Sequence, residues 1–340
     1  MLHRKQYRVA VRVTIMVLAL TLTACGTQEN TGSTESVKST ETVENTETVE
    51  STETIENAEI IEAMVSESVA PQGTANVTPQ MQPVEYTNLQ QITLDSTWEY
   101  ADHSKINTGA AVLYPASEES GRKGIVIGVN AGHGTAGGAK VKTLCHPDGS
   151  AKVTGGSTAT GATEAAAVSG GMTFQDGTPE REVTLRMAQI LRDKLLTSGY
   201  DVLMLRDSED VQLDNVARTV ICNNVADCHI ALHWDSGDGK NYDKGCFYIS
   251  VPEALKTMEP VASHWQQHDT LGTDLVEGLR EQGTMIYGKG NMSIDLTQTS
   301  YSTIPSVDME LGNAYSDHSD VVLEQLATGL LAGINTYFEQ

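Results

Sequence analysis

The chain has 340 residues, and 45 acidic against 22 basic side chains give it a formal charge of −23. A balance this acidic argues against nucleic acid as a partner, because phosphate binding needs a basic face. The charge is unevenly spread: residues 25–93 carry roughly half of it, so the figure describes that segment more than the rest.

His3, Arg4, Lys5, Arg8 and Arg12 form a basic start, and an apolar run from Val13 to Leu22 follows, broken only by threonines. The run is short of the roughly 20 apolar residues that cross a bilayer. It has the form of a secretory signal over residues 1–24, to be set aside from fold reasoning. Leu22-Thr23-Ala24-Cys25-Gly26 resembles the bacterial lipobox. That resemblance implies acylation of Cys25 and an extracytoplasmic chain anchored by lipid to the bacterial cell membrane, each buried methylene adding about 0.8 kcal/mol.

Three related six-residue units come next: Thr40-Glu41-Thr42-Val43-Glu44-Asn45, Thr46-Glu47-Thr48-Val49-Glu50-Ser51 and Thr52-Glu53-Thr54-Ile55-Glu56-Asn57. They lack the glycines and large apolar residues that would stack into a β-helix. Low hydrophobicity with like-sign charge predicts a disordered, extended tether over residues 25–93. Residues 94–123 are expected to be a linker or N-terminal extension, and residues 124–340 one catalytic domain.

Within that domain strands and helices alternate. Gly124 to Val129 reads as a strand buried on both faces. Thr178 and Pro179 read as a helix cap and first helical position, with Leu185, Ala188, Leu191 and Leu195 at helical spacing and Gly199 as a C-cap glycine. Val202–Leu205 is a strand, Val216–Val225 a helix, Cys228–Leu232 and Gly245–Val251 strands, Leu271–Glu281 a helix, Ser306–Leu311 a strand and Val321–Phe338 a closing helix. This alternation predicts a single α/β domain, its mostly parallel central sheet flanked by helices. Ligands in such sheets gather at the carboxyl ends of the strands.

Four candidate residues stand near such ends or at a helix start. His133 follows the first strand between Gly132 and Gly134, Glu180 opens the first helix, His233 ends a strand, and Glu310 lies in the last one. Two imidazoles and a carboxylate with an open fourth position are a recurrent set for catalytic zinc. A further carboxylate, free of the metal, would move the water's proton. Cys145, His146, Glu164 and Glu182 are alternative ligands. Cys145, Cys222, Cys228 and Cys246, an even number, permit disulfides. Used as nucleophiles with His146, His229 or His264, they would define a rival chemistry.

From Ile125 to Gly134, from Glu180 to Leu185, at Arg206-Asp207, at Asn215, Arg218 and Asn223, from Ala226 to His233, and from Met309 to Asn313, the chain is similar to the zinc-dependent N-acetylmuramoyl-L-alanine amidases of bacterial cell-wall remodelling. The resemblance implies His133, Glu180 and His233 as zinc ligands and Glu310 as general base. It implies hydrolysis of the amide joining N-acetylmuramic acid to L-alanine, with the peptidoglycan glycan strand and stem peptide as partners. An inactive wall-binding module of the same fold, or a zinc peptidase acting on the stem peptide, are the alternatives.

Three departures bear on the site. Asn130 stands where the family commonly has aspartate, which is expected to weaken an outer contact to the metal. Trp234 replaces a small residue after the second histidine and is expected to narrow or reshape the cleft. Residues 135–176 form a long insertion rich in Gly, Ala and Thr, expected to be an irregular lid or specificity loop that buries little.

Overall fold

A computed structural model describes residues 86–237, 239 and 241–339. The expected signal, the lipobox Cys25 and the six-residue repeats lie outside the described residues. Among the described residues no helix is long and apolar enough to cross a membrane.

In chain order the elements are β1 (Gln90–Ile92), β2 (Ala111–Tyr114), β3 (Val126–Ala131), β4 (Lys142–Leu144), β5 (Glu164–Ala166), α1 (Glu180–Thr197), β6 (Asp201–Met204), α2 (Asn215–Val225), β7 (Cys228–Asp235), β8 (Cys246–Ser250), α3 (Val261–Glu281), β9 (Ile286–Ser293), α4 (Thr297–Tyr301), β10 (Ser306–Asn313) and α5 (Asp320–Phe338). Eight strands form the main sheet in the order β1-β2-β6-β3-β7-β10-β8-β9, and β4 and β5 form a separate hairpin. β6, β3, β7 and β10 are mutually parallel, while β2 and β8 join them antiparallel on either side. The predicted α/β class and mostly parallel centre are what the chain adopts.

Strands are present upstream of the expected domain start at residue 124. Tyr86 packs edge-on against Tyr114 at 5.0 Å, with the Arg192 guanidinium 4.6 Å from its ring. β1 and β2 pair with each other and extend the sheet beyond β6. β1 thus lies at the end of the expected tether, and β2 within the expected linker or N-terminal extension.

Alternation along the central strands sets the two faces. Ile127, Val129, Ala131, Ile230, Leu232, Trp234, Val307, Met309 and Leu311 point to one side, into a buried cluster with Leu191 and Leu195 of α1, Leu271 and Leu275 of α3, and Leu326 and Leu330 of α5. The opposite face reads in rows across β3, β7 and β10: Gly128, His229 and Ser306; then Asn130, Ala231 and Asp308; then His233 beside Glu310. The apolar face makes the core and the small, polar face carries the chemistry.

α1 starts one residue later than predicted. Pro179 occupies the N-cap without a side-chain bond, and Thr178 instead donates its N–H to Asp176. Its end is as expected, with Gly199 at φ +84° after the last turn.

The insertion is not the loose loop its composition suggests. It holds the β4–β5 hairpin and buries Cys145, Ala165, Ala167, Val168 and Phe174. Fully buried His146 meets both carboxylate oxygens of Asp295, at 2.9 and 3.1 Å, through Nε2, and the Val153 N–H donates to the same carboxylate at 2.8 Å. Buried Lys152 donates to the Asp295 carbonyl. One acid on the stretch between β9 and α4 thus pins the insertion in place.

Candidate metal centre and active site

His133 sits in the left-handed region, at φ +65°. For a residue with a side chain this costs on the order of 1–3 kcal/mol and persists only where the surroundings over-determine it. Two buried arginines do so. Arg218 donates to the His133 carbonyl at 2.6 Å, to Ala131 O at 3.1 Å and to Asn130 Oδ1 at 3.0 Å. Arg206 donates to Ala131 O at 3.1 Å and Gly132 O at 2.9 Å. Burial pushes both guanidinium groups down, to about 9 for Arg218 and about 10 for Arg206. Asn130 serves here as a neutral acceptor for Arg218.

The turn delivers the His133 ring with its Nδ1 3.0 Å from the Ser169 carbonyl. Donation there leaves Nε2 as the lone-pair atom. Nε2 lies 2.9 Å from Glu180 Oε1 and 3.0 Å from His233 Nδ1, which is itself 3.1 Å from Glu180 Oε1. Glu180 is held in turn by the Met172 N–H to Oε2 at 2.8 Å and the Trp234 N–H to Oε1 at 3.0 Å. Its place in the first turn of α1 also suits a carboxylate.

Electrostatics follow from this packing. Burial alone would raise Glu180, but bonds with His133 and His233 hold it well below the usual carboxylate range. Burial would lower His233, yet the Asp308 charge and the Glu180 bond lift it to about 10. Glu310 stands directly opposite His233 in the β7–β10 pairing. Burial first, and then the neighbouring Asp308, push its carboxyl well above the ordinary range. Its Oε2 is buried without a hydrogen-bond partner.

Three ligand-type atoms within 2.9–3.1 Å of one another suit one cation. A tetrahedral zinc with bonds of about 2.0–2.2 Å would separate such atoms by roughly 3.3 Å. Two glycines keep the space clear. A Cβ on Gly132 would fall 2.3 Å from the His233 ring, and one on Gly171, at φ +80°, 3.0 Å from His133 Nε2 and from Glu180 Oε2. The donor set, two imidazoles and a carboxylate, therefore fits zinc.

The sequence-predicted trio and Glu310 come together as expected, and the alternative ligands do not. Glu164 and Glu182 are exposed, and His146 belongs to Asp295. The four cysteines are free and buried, and burial pushes each thiol up, so none forms a disulfide or offers a thiolate nucleophile. Trp234 turns to the apolar face, its ring 5.9 Å from Phe174, so it does not narrow the cleft. A cavity of about 130 Å³ adjoins the centre, lined by Asn130, His133, Arg218, His233, Gln298 and Asp308, with Lys152, Ser157 and Thr158 of the insertion as part of its wall. Sequence reading missed Asp308 and Ser169. Asp308 was legible in principle, as the residue two before Glu310 on the same strand face.

A His–Glu–His trio with a neighbouring carboxylate, at the carboxyl end of a parallel sheet, is the arrangement of a metal-dependent hydrolase centre. The chain belongs to the N-acetylmuramoyl-L-alanine amidase family, whose model matches residues 127–332. Among solved structures it is similar to the N-acetylmuramyl-L-alanine amidase Ami1 of Mycobacterium smegmatis, at 17% identity and a TM-score of 0.53, covering 64% of this chain and 97% of that one. It is also similar to Ami1 of Mycobacterium abscessus, at 20% identity and a TM-score of 0.51, covering 63% of this chain and 99% of that one. At these identities the likeness shows the fold. No curated protein matches the chain in sequence.

Proposed function

We propose that the chain is a zinc-dependent amidase that cleaves the bond between N-acetylmuramic acid and L-alanine in peptidoglycan, in cell-wall remodelling or turnover. The observation that carries this reading is the mutual 2.9–3.1 Å approach of His133 Nε2, Glu180 Oε1 and His233 Nδ1, with Glu310 paired opposite His233. These three side chains would hold the metal. When bound, zinc supplies Lewis acidity, lowering the pKa of water toward about 7 and polarising the scissile carbonyl. Glu310 takes the water's proton and returns it to the departing amine of L-alanine. The proposal extends to delivery. A signal over residues 1–24 and acylation of Cys25 would place the domain outside the cytoplasm on a lipid anchor, with the acidic segment after Cys25 as the tether between lipid and domain.

The test is mass spectrometry of fragments released from purified peptidoglycan by the zinc-loaded chain. Stem peptides with a free L-alanine amine are expected, together with loss of release under chelation. Glu310→Gln should keep the zinc and lose turnover by about 10²–10⁴-fold. Cleavage only at deeper stem-peptide bonds would replace the amidase reading with a peptidase, and loss of zinc in Glu310→Gln would make Glu310 a ligand.

A further inference from the structure

β10 sends a second carboxylate to the centre. Asp308 shares a sheet face with Glu310 and is paired in register with Ala231, which is flanked on its other side by Asn130. The small Ala231 leaves the space between Asn130 and Asp308 open, and both residues line the cavity. Asp308 Oδ2 lies 3.8 Å from His233 Nε2, and its Oδ1 is buried without a hydrogen-bond partner.

The two histidines are supported differently. A metal-ligating histidine almost always donates its other N–H to a carboxylate, a carbonyl or a water. His133 has the Ser169 carbonyl for this. On the His233 ring, with Nδ1 turned to Glu180 and His133, Nε2 is the atom that faces Asp308. At 3.8 Å the two atoms are too far apart for a direct hydrogen bond, and gaps above about 3.5 Å are commonly bridged by a water. Among the described residues no carboxylate accepts a hydrogen bond from Arg218 on the β3 side. The Arg218 donors go to Leu213 O, Asn130 Oδ1, Ala131 O, His133 O and Thr135 Oγ1, all neutral acceptors.

Resting on the metal-centre reading above, we infer that Asp308 is the positioning residue of His233, accepting its Nε2–H through one bridging water so that Nδ1 faces the metal. The acid of the outer shell stands on β10 in this chain, while β3 offers only the Asn130 amide. A carboxylate with one oxygen buried and unsatisfied is costly without such a role.

The experiment compares the full chain with Asp308→Ala and Asp308→Asn. Zinc affinity is measured by chelator competition, the cobalt(II) absorption spectrum reports ligand geometry, and metal-free melting reports the fold. Asp308→Ala should bind zinc about 10–100-fold more weakly and shift the cobalt spectrum. Asp308→Asn keeps an oxygen acceptor and should recover much of that affinity. Neither variant should melt below the parent when metal-free. Unchanged zinc affinity and cobalt spectrum in Asp308→Ala would overturn the inference, as would a large metal-free destabilisation of both variants. A parent chain that binds neither zinc nor cobalt would instead overturn the reading of the centre itself.

Discussion

At the scale of single residues, the chemistry-bearing side chains were readable because each carries a local signature. His133 lies between glycines, Glu180 opens a helix after Pro179, and His233 and Glu310 follow apolar residues in strands of the sheet centre. The supporting groups were not readable, since Ser169 acts through its backbone carbonyl and any residue type supplies one. His229 illustrates the opposite case, a histidine with no role in the site. It is wholly buried in β7, and neither ring nitrogen has a partner. Burial first, then the charges of Arg218 and His268, hold it near 3 against an ordinary 6.5. A folded value below the unfolded one means that stability is fully present above pH 6.5 and is lost as pH falls toward 3. His229→Leu should therefore match or exceed the parent at pH 7. Below pH 6.5 its advantage should grow by up to about 1.4 kcal/mol per pH unit. Denaturant titrations at pH 7, 6 and 5 measure this, and a constant difference would mean that His229 titrates normally in the fold.

Among the elements, those with strong periodicity were legible and those that lean on tertiary contact were not. The core strands and α1, α2 and α5 announce themselves by apolar spacing. β9 hides because Gly288 and Gly290 make an edge strand look like a loop, and the first half of α3 hides behind His264, Gln266, Gln267 and His268. The β4–β5 insertion is the largest miss. Its small residues suggested mobility, but its anchor is an acid far along the chain that no local pattern could reveal. Burial would raise Asp295, yet the bonds from His146 and Val153 hold it below its ordinary range. His146→Ala leaves that buried carboxylate short of a partner and should cost about 1–3 kcal/mol or more. Replacing exposed Glu164 in the same hairpin should stay within about 0.5 kcal/mol. Equal effects of the two changes in thermal melts would show that the Asp295 clamp adds nothing.

For the molecule as a whole, class and strand arrangement followed from alternation of elements, because a parallel sheet needs its crossovers. What alternation does not give is the order in which the parts come together. The Asp295 clamp joins residues 149 and 142 positions apart. Contacts of such separation slow folding, since the chain must be ordered before they reward it. His133, Glu180 and His233 all precede Asp295, so the proposed ligands are in hand before the wall beside them is fixed. The insertion that holds Ser169 against His133 can settle only after β9 and α4 have formed around its anchor. The centre is thus expected to mature last, on a sheet already folded. In rapid-mixing refolding with cobalt(II) present, the absorption of the bound metal should arrive after the fluorescence of core Trp234. Simultaneous arrival would mean that the metal helps to nucleate the fold. On the expected result, a chain arrested before the clamp closes would carry all three proposed metal ligands and still be a poor enzyme, so the amidase is held silent by its own folding schedule until the last third of the sequence is in place.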